Sequence, residues 1–371
     1  MLAGLVLDIA RKGEDIMETI KIGIIGNGGI SRFHAEGYQK LANVEIYALC
    51  DINRERAEAM AKDYNVPPER VFTDVNDLVA LAEIDAVSVC TWNNAHAPCT
   101  IAALRAGKHV LCEKPMALNA AEAEQMEQEA KKAGKLLMIG FVRRFGNDCD
   151  VLRDFIDIGY FGELYYAKAA YLRRHGCPGG WFCDKTRSGG GPLIDLGVHV
   201  IDLVRFLMGN PQPVSVYGAT FDHLGNRPGV RSTAGYISSD ASGKEDYSVE
   251  DLATAMIRFD NGAVLSVETS FSLNLKEDRG DIELFGTKGG AKLSPELELY
   301  SQTGGYMTDT KLSYPTALSF NGLFEREIAH FVDCVRTGNE CRNPAGDGVA
   351  LMRILDAVYE SARTGHEVTL A

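Results

Sequence analysis

From about residue 20, continuous apolar runs alternate with segments that have helical periodicity. The first run is IKIGIIG, and the helical segment SRFHAEGYQKL, the run VEIYALCD and the helical segment NRERAEAMAKDY follow it. Continuous apolar runs are typical of strands buried on both faces, and helices between such strands imply right-handed crossovers. The pattern continues through DAVSVCT, HVLCEKP and LLMIGF. It predicts a doubly wound parallel α/β sheet over residues 20–145.

Beyond residue 146 the pattern changes to long stretches in which apolar and polar positions alternate. Examples are ELYYAKAAYLRR, VSVYGATFD and DLATAMIRFDNGAVLSVETSFSL, and the Asn-Gly pair in the last of them is a strong hairpin signal. These stretches predict a large, mostly antiparallel sheet, and two amphipathic helices that stop at glycine close the chain. We therefore expect a C-terminal α/β domain over residues 146–371. Residues 1–19 are expected to form an N-terminal extension, with Met17 as an alternative start.

Length and charge narrow the functional classes. A chain of 371 residues exceeds what one hydrophobic core usually fills, so two closely packed domains are expected. The formal net charge of −13 disfavours nucleic acid and anionic lipid as partners. The chain has neither a basic signal-peptide start nor an apolar run of the roughly 18 residues that a membrane span requires. These features predict a cytoplasmic protein.

The cysteines indicate reduced thiols. There are nine of them, an odd number, and none belongs to a CxxC pair. Many lie within apolar runs, such as Cys50, Cys90 and Cys112. We therefore expect buried thiols, neither a disulfide framework nor a metal site.

A glycine-rich turn follows the first predicted strand. It carries Gly26-x-Gly28, and Ser31 stands where the full G-x-G-x-x-G pattern has its last glycine. Glycines here allow a tight turn and let the backbone approach a pyrophosphate at a helix N-terminus, although an ordinary tight turn is the alternative. The residues expected to contact a dinucleotide at this turn are Gly26, Asn27, Gly28, Gly29 and Ile30.

A carboxylate ends the second predicted strand. Asp51 lies where a dinucleotide-binding fold places the acid that accepts hydrogen bonds from the adenosine ribose, which favours NAD over NADP. Its neighbours Ile52 and Arg54 are expected to contact the same ligand. NADP remains an alternative cofactor, because Arg54 and Arg56 are close enough to interact with a 2′-phosphate. The alternative is that Asp51 caps the helix that follows.

Glu113 and Lys114 end another buried strand, at the carboxyl edge where open α/β sheets bind ligands. Pro115 keeps Lys114 out of the helical region and admits a cis peptide bond, so the lysine has a fixed, non-helical backbone. The alternative is an ordinary lysine whose amine reaches to the surface.

The segment SGGGPLIDLGVHVIDLVRFLMG predicts an apolar helix with a polar stripe. Asp195, His199 and Asp202 recur at i, i+4 and i+7, and the preceding glycines would let a ligand approach the backbone closely. A carboxylate one turn from an imidazole would orient it and stabilise its charged form, giving an acid–base pair. There are three alternatives. The first is that the polar residues are structural, with Asp195 interacting favourably with the helix dipole near the N-terminus. His199 is otherwise a buried core histidine, or Asp195 and His199 are two zinc ligands for which the sequence shows no third.

Taken together, these motifs resemble those of the glucose–fructose oxidoreductase / inositol dehydrogenase / MocA family, from about residue 20 to the C-terminus. GIIGNGGIS is similar to its cofactor turn, TWNNAHAPCTIAALRAGKHVLCEKPMA to its second signature and GGGPLIDLGVHVIDL to its substrate-domain signature. Trp92 departs from the proline of many members, whereas Asn93 and His96 match. The resemblance adds Thr91, Trp92, Asn93, His96, Glu113 and Lys114 to the cofactor contacts.

The resemblance implies a Rossmann domain, a C-terminal domain with an open-faced sheet, and a homodimer or homotetramer formed through that sheet. It also implies that Lys114, Asp195 and His199 meet at the domain junction, facing the nicotinamide. Asp202 is expected to face solvent or an interface.

The implied reaction is hydride transfer between NAD, with NADP possible, and a secondary hydroxyl of a sugar or polyol. His199 would take the hydroxyl proton, Asp195 would orient it, and Lys114 would donate to the developing alkoxide. An NAD-dependent glycosidase that oxidises transiently and a non-catalytic sugar or dinucleotide sensor are the alternatives. By position, further substrate contacts are expected at Arg143, Arg144, Arg173, Arg174, His175, Trp181 and Lys185, several of them in a long loop before the polar helix.

Overall fold

A six-stranded parallel sheet forms the first half of the protein. The computed structural model describes residues 18–225, 227, 230, 235–294, 296–317 and 319–370. The spatial order of this sheet is β3-β2-β1-β4-β5-β6. This doubly wound order confirms the predicted Rossmann topology and places the first strand at the centre of the sheet. The strands are β1 Ile20–Ile25, β2 Val44–Cys50, β3 Val71–Phe72, β4 Ala86–Val89, β5 His109–Cys112 and β6 Leu137–Ile139.

Helices follow the strands of this sheet as the periodicity predicts. They are α1 Gly29–Gln39, α2 Arg54–Tyr64, α3 Val75–Val79, α4 Asn93–Arg105 and α5 Ala120–Ala133. Side chains fix several ends: Asn53 accepts from the Arg56 amide and Asn119 from the Glu122 amide, while Gly134 ends α5 in the left-handed region. These caps satisfy amide groups that the helices leave without partners.

The second half contains a nine-stranded sheet with the order β14-β13-β12-β11-β7-β10-β9-β8-β15. Of the described strand pairs of this second sheet, only β7–β10 is parallel, so the predicted mostly antiparallel sheet is confirmed. The predicted Asn-Gly hairpin joins β9 to β10, with Gly262 at φ +86°. The strands are β7 Leu164–Leu172, β8 Pro213–Phe221, β9 Leu252–Phe259, β10 Val264–Ser270, β11 Ile282–Gly286, β12 Gly289–Leu293, β13 Glu298–Thr303, β14 Tyr306–Thr310 and β15 Val368–Thr369.

Helices cover one face of the second sheet. On the other face, residues such as Tyr217 and Met256 are exposed, which leaves that face open. α10 packs on β8, and α8 packs on β7, β10 and β11. The helices of this half are α6 Asn147–Asp157, α7 Lys185–Ser188, α8 Val198–Leu207, α9 Phe320–Thr337 and α10 Ala345–Thr364, and a π-helical turn, Leu193–Gly197, precedes α8.

The two halves share their hydrophobic core. Helix α9 packs against α1, where Gly37 lies against Ile328 and a methyl group at Gly37 would collide with it. Phe331 of α9 joins the same buried cluster as Tyr38 and the inner residues of β1. The last strand of the first sheet ends at Ile139 and the first strand of the second begins at Leu164, and α9 packs back on the first half. Within the described segments, no helix has the length and apolarity to cross a bilayer.

Candidate active site at the junction of the two sheets

The glycine turn after β1 has an open space and orphaned polar atoms. Gly26 has φ +84°, and a Cβ there would lie 2.6 Å from the Cys90 carbonyl oxygen, so glycine is required. A Cβ on Gly28 would meet no described atom within 4 Å, and Gly29 starts α1 with Ile30 half-buried behind it. Asn27 is 4% exposed, yet its amide oxygen and nitrogen have no described partner. These features fit the phosphates of a dinucleotide at a helix N-terminus.

Asp51 is buried and ties the end of β2 to the glycine turn. One carboxylate oxygen accepts a hydrogen bond from the backbone N–H of Asn27 at 2.7 Å, and the other accepts one from the backbone N–H of Asn53 at 2.8 Å. Asn53, not Asp51, caps α2, so the capping alternative for Asp51 is wrong. Ile52 is 78% exposed beside the turn. Arg54 pairs with Glu58 on the outside of α2, while the Arg56 guanidinium lies 3.6 Å from Asp51. 

The turn after β4 holds four predicted cofactor residues, and protein contacts occupy two of them. Asn93 is buried and donates its amide to the Ser188 carbonyl at 2.7 Å. Both ring nitrogens of His96 face backbone carbonyls, those of Pro115 at 2.7 Å and Thr91 at 3.2 Å. These contacts hold both side chains in place, and a direct cofactor contact from Asn93 or His96 stays a prediction. Burial lowers the pKa of His96, in keeping with an imidazole enclosed by protein.

Thr91 and Trp92 remain half-buried at this turn. The indole ring of Trp92 lies under the guanidinium of Arg187, 4.7 Å from its centroid. Arg187 comes from α7, so the residue that departs from the family pattern forms a contact between the two halves.

Glu113 is buried in a network that the sequence does not indicate. It pairs with His34 at 2.8 Å, and the other nitrogen of His34 lies 3.1 Å from Ser88, which also bonds Tyr38. Its second oxygen accepts the Lys114 amide at 3.2 Å. Despite burial, the His34 bond lowers the pKa of Glu113, so its carboxylate stays charged and holds the end of β5. Glu113 thus supports the backbone of Lys114, and its expected cofactor contact stays a prediction.

Lys114 and Asp195 converge across the junction. The amine of Lys114, after β5, donates to a carboxylate oxygen of Asp195 at 3.0 Å and to its carbonyl oxygen at 3.2 Å. Their side chains are 18% and 15% exposed, so the pair opens to the cleft. The peptide between Lys114 and Pro115 is cis. Because an ammonium group has three N–H bonds and the described residues accept two, one remains for a ligand.

His199 is half-buried on the first turn of α8, and neither ring nitrogen has a described hydrogen-bond partner. Burial lowers the pKa of His199 well below its usual value, and the charges of Lys114, Arg143 and Arg173 lower it further. The expected stabilisation of a charged imidazole by Asp195 is therefore wrong for this structure. Asp195 lies in the π-helical turn and pairs with Lys114, and no hydrogen bond between Asp195 and His199 is among the described contacts. The neutral ring can still accept a proton.

Asp202, expected at solvent or an interface, is instead 2% exposed. It accepts two hydrogen bonds from the fully buried guanidinium of Arg144, at 2.6 and 3.0 Å. Asp347 of α10 bridges Arg144 and Arg205 at 2.8 and 2.9 Å. Arg144, which we expected near substrate, thus holds α8 and α10 against the segment after β6.

The glycines before the polar helix make room for protein instead of a ligand. A side chain at Gly190 would collide with the Tyr359 hydroxyl, and one at Gly191 with the Glu250 carbonyl. The buried carboxylate of Glu250 accepts the amides of Gly191 and Leu193 at 2.9 and 3.1 Å. Sequence reasoning missed Glu250, which lies in the connection before β9 and caps the start of this helix.

The two arginines that follow β7 differ in exposure. Arg174 is exposed, whereas Arg173 is half-buried and its charge acts on His199. The Arg173 guanidinium donates to the Gly176 carbonyl at 3.0 Å and to the Tyr171 hydroxyl at 3.3 Å. The substrate contact expected of Arg174 stays a prediction. Arg143 also acts on His199, and it lies 3.6 Å from Asp148.

The predicted loop before the polar helix contains local structure. It includes a 3-10 turn, Gly180–Cys183, and helix α7, and it lines a cavity of about 390 Å³. Trp181 is half-buried, and the centroid of its ring lies 3.9 Å from that of Phe182. Lys185 is exposed, and the backbone of His175 forms an isolated antiparallel β-bridge with Ser272. The cavity carries four carboxylates and one guanidinium, and its lining residues are Gly180, Asp184, Arg187, Asp240, Glu245, Asp246 and Ser248.

Two groups of side chains have the spacing of metal ligands: His34 with Glu113 and Glu327, and His330 with Cys334 and Cys341. In the first, His34 is engaged by Glu113 and Ser88; in the second, His330 accepts the Arg342 amide at 2.9 Å. The first group adjoins Lys114 through Glu113, whose second carboxylate oxygen accepts the Lys114 backbone amide.

Comparison with known proteins places this geometry in context. A family model described as an oxidoreductase family with an NAD-binding Rossmann fold matches residues 20–141, and the model of its C-terminal alpha/beta domain matches residues 153–370. The chain is 34% identical over 364 residues to D-glucoside 3-dehydrogenase of Escherichia coli (strain K12), covering 95% of this chain and 97% of that protein.

Two further likenesses extend the comparison. The chain is 30% identical over 273 residues to myo-inositol 2-dehydrogenase of Thermotoga maritima, covering 73% of this chain and 74% of that protein. The crystal structure of an oxidoreductase domain protein from Kribbella flavida superposes with a TM-score of 0.84 at 26% identity, covering 96% of this chain and all of that one.

Proposed function

Because the chain belongs to the glucose–fructose oxidoreductase / inositol dehydrogenase / MocA family of oxidoreductases, we propose that it transfers hydride between a nicotinamide dinucleotide and a secondary hydroxyl of a sugar or cyclic polyol. One observation carries the proposal. Lys114 from the nucleotide-binding half meets Asp195 from the other half at 3.0 Å, beside the turn that fits the dinucleotide.

Each of the three polar residues has a role that follows from its surroundings. The bound nicotinamide supplies the hydride acceptor or donor. Lys114 uses its remaining N–H to donate to the reacting oxygen, and Asp195 holds the ammonium in place. His199 accepts the hydroxyl proton, because its lowered pKa keeps the ring neutral at ordinary pH. Arg173 and Arg143 add positive potential where negative charge develops.

NAD is the proposed cofactor. The buried carboxylate of Asp51 lies beside the turn, where it would accept hydrogen bonds from ribose hydroxyls and repel a 2′-phosphate. Arg56 stays 3.6 Å from that carboxylate and reduces the repulsion, so NADP use at lower efficiency is compatible with the proposal. Gly26, Asn27, Gly28, Gly29, Ile30, Asp51, Ile52, Thr91 and Trp92 form the proposed cofactor contacts.

An uncharged polyol is the proposed substrate. The relatives include dehydrogenases of a D-glucoside and of myo-inositol. In this chain the cavity lined by the loop before the polar helix carries one guanidinium and four carboxylates, and carboxylates accept hydrogen bonds from sugar hydroxyl groups. We also propose that Trp181 contacts the sugar ring, that copies associate as a dimer or tetramer through the open face of the second sheet, and that the protein is cytoplasmic.

The test is a panel of aldoses, cyclic polyols and glycosides with NAD and with NADP at alkaline pH, measured by the absorbance of the reduced nicotinamide. We expect NAD-dependent turnover of at least one uncharged polyol. His199→Ala should lower kcat by about 10²–10⁴-fold with NADH affinity nearly unchanged, because a positioned base contributes on that order. His366→Ala, at an exposed histidine near the C-terminus, is the control and should retain full activity.

Three outcomes would contradict the proposal. Failure to bind either dinucleotide would remove its basis. Loss of NADH binding together with turnover in His199→Ala would make His199 a structural residue. Cleavage of a glycoside without net formation of NADH would show that the protein is a hydrolase that oxidises its substrate transiently, and not a dehydrogenase.

A further inference from the structure

Two thiols face each other in the wall of the cleft. The sulfur atoms of Cys177 and Cys183 lie 3.6 Å apart, on either side of the segment that carries Trp181. Cys183 is buried at the end of the 3-10 turn, and its carbonyl accepts both the amide and the hydroxyl of Ser248 at 2.9 and 3.1 Å. Cys177 is half-buried, and the charge of Asp195 acts on its thiol. The pair therefore lies close to the proposed reacting groups.

Cys177 differs chemically from the other cysteines, all of which lie in the described residues. A hydrogen bond from Cys183 lowers the pKa of the Cys177 thiol and outweighs burial, and a backbone bond from Gly179 acts in the same sense. The remaining eight thiols have raised pKa values, for example about 12 at Cys50 and about 11 at Cys99. A thiolate is the nucleophilic form of cysteine, so Cys177 is the thiol most ready to react with an electrophile.

The backbone between the two cysteines turns tightly. Gly179 and Gly180 both have positive φ, at +72° and +58°, and Gly176 precedes the pair. Glycine adopts these backbone conformations readily, and the turn brings the two sulfur atoms to 3.6 Å. A disulfide requires them to approach to about 2.05 Å, a further movement of about 1.5 Å.

We propose that Cys177 and Cys183 are a site of reversible oxidation by a small hydroperoxide, which closes them into a disulfide. The Cys177 thiolate attacks the terminal peroxide oxygen and forms a sulfenic acid as the O–O bond breaks; the leaving hydroxide or alkoxide takes a proton from solvent and becomes water or an alcohol. The Cys183 sulfur then attacks the sulfenic sulfur, the S–O bond breaks, and the departing hydroxyl leaves as water with the Cys183 proton. Two thiols are oxidised to one disulfide and one peroxide is reduced.

Closing the disulfide would change the substrate side of the cleft. Trp181 stacks on Phe182 within the closed segment, and Gly180 and Asp184 line the cavity. This part of the inference rests on the proposed function: we expect a KM for the polyol that changes several-fold, with NADH affinity unchanged, since the glycine turn is not part of the segment. A dithiol reductant should restore the original KM.

The experiment exposes the purified full chain to hydrogen peroxide, alkylates the remaining thiols and maps the peptides by mass spectrometry. We expect free thiols to fall from nine to seven per chain, with Cys177 linked to Cys183 and the change reversed by dithiothreitol. Cys177→Ser should slow this loss at least about tenfold, because it removes the reactive thiolate.

Cys341→Ser is the matched control. Cys334 and Cys341 also lie close together, but both have raised pKa values, so this variant should lose two thiols at the wild-type rate. A disulfide at Cys334–Cys341 in place of Cys177–Cys183 would overturn the proposal, as would equal rates for Cys177→Ser and wild type. An unchanged KM in the oxidised enzyme would overturn its functional part. Formation of the disulfide in a protein inactive on every polyol would refute the proposed function while leaving the thiol site intact.

Discussion

Replacing Lys114 by methionine removes the cation that faces Asp195 and keeps a side chain of similar length. At 3.0 Å and an effective dielectric constant of about 20, the two charges attract by about 5 kcal/mol before desolvation is counted. Their side chains are only 18% and 15% exposed, so solvent replaces little of this attraction. Removing one partner of such a pair typically costs about 3–5 kcal/mol, since the other charge remains buried. We expect Lys114→Met to destabilise the fold toward the lower end of that range.

The effect on catalysis is separable from the effect on stability. Lys114 is the proposed donor to the reacting oxygen, and loss of one such donor lowers kcat by about 10²–10³-fold. Its charge also lowers the pKa of His199, so the variant should have a higher His199 pKa. Because the neutral ring is the proton acceptor, the acidic limb of the pH profile of kcat/KM should then move to higher pH.

Three measurements check this prediction: steady-state kinetics across pH, NADH titration, and chemical unfolding. The double variant Lys114→Met/Asp195→Asn removes the isolated charge, so it should recover stability without recovering kcat. Lys40→Met, which breaks an exposed ion pair with Glu325, should change stability by less than about 1 kcal/mol. A kcat within threefold of wild type, or an acidic limb that does not move in a folded variant, would refute the assignment of Lys114.

Three further predictions follow from other contacts. Wild-type kcat/KM should stay constant down to pH values below about 6.5, because the pKa of His199 is lowered. A histidine whose pKa is lowered in the folded state contributes stability that is present above its unfolded pKa of about 6.5 and is lost as pH falls. The variant His199→Gln should therefore lose less stability in acid than the wild type. Asp51→Ser should raise the NADP-to-NAD ratio of kcat/KM about tenfold or more in steady-state assays, whereas Asp74→Ser, at the cap of α3, should not. Asp202→Ala should lower the free energy of unfolding by about 3–5 kcal/mol in denaturant titrations, against less than about 1 kcal/mol for Asp63→Ala at an exposed pair; similar losses would contradict the buried network.

The sequence predicts the strands in which the order of apolar and polar residues follows the order of buried and exposed positions. β1 is buried along nearly its whole length and appears as a continuous apolar run, and β9 alternates between buried and more exposed positions. β14 was not predicted, because Tyr306 and Met307 are exposed and the strand has no fully buried position. β15 has two residues, too few for any periodicity.

The site shows the limit of spacing as evidence. An α-helical period places Asp195, His199 and Asp202 in one stripe, but Asp195 lies in a π-helical turn and pairs with Lys114, and Asp202 is buried. The pairing of His34 with Glu113 joins residues 79 positions apart, and no local pattern encodes it. Glu250 reaches the start of the polar helix from 57 positions beyond Leu193 in the same way.

Partner saturation distinguishes the polar residues that hold this fold together from those available for chemistry. Both carboxylate oxygens of Asp202 accept from Arg144, whose guanidinium is fully buried, and burial leaves neither oxygen accessible to a ligand. Lys114 keeps one N–H beyond its two acceptors, and it opens to the cleft together with Asp195. Ionised groups kept partly unsatisfied at a junction lose hydrogen-bond energy unless a ligand completes them. The same criterion assigns Arg144 to architecture and Lys114 to the reaction, although the sequence makes both of them candidates for ligand binding.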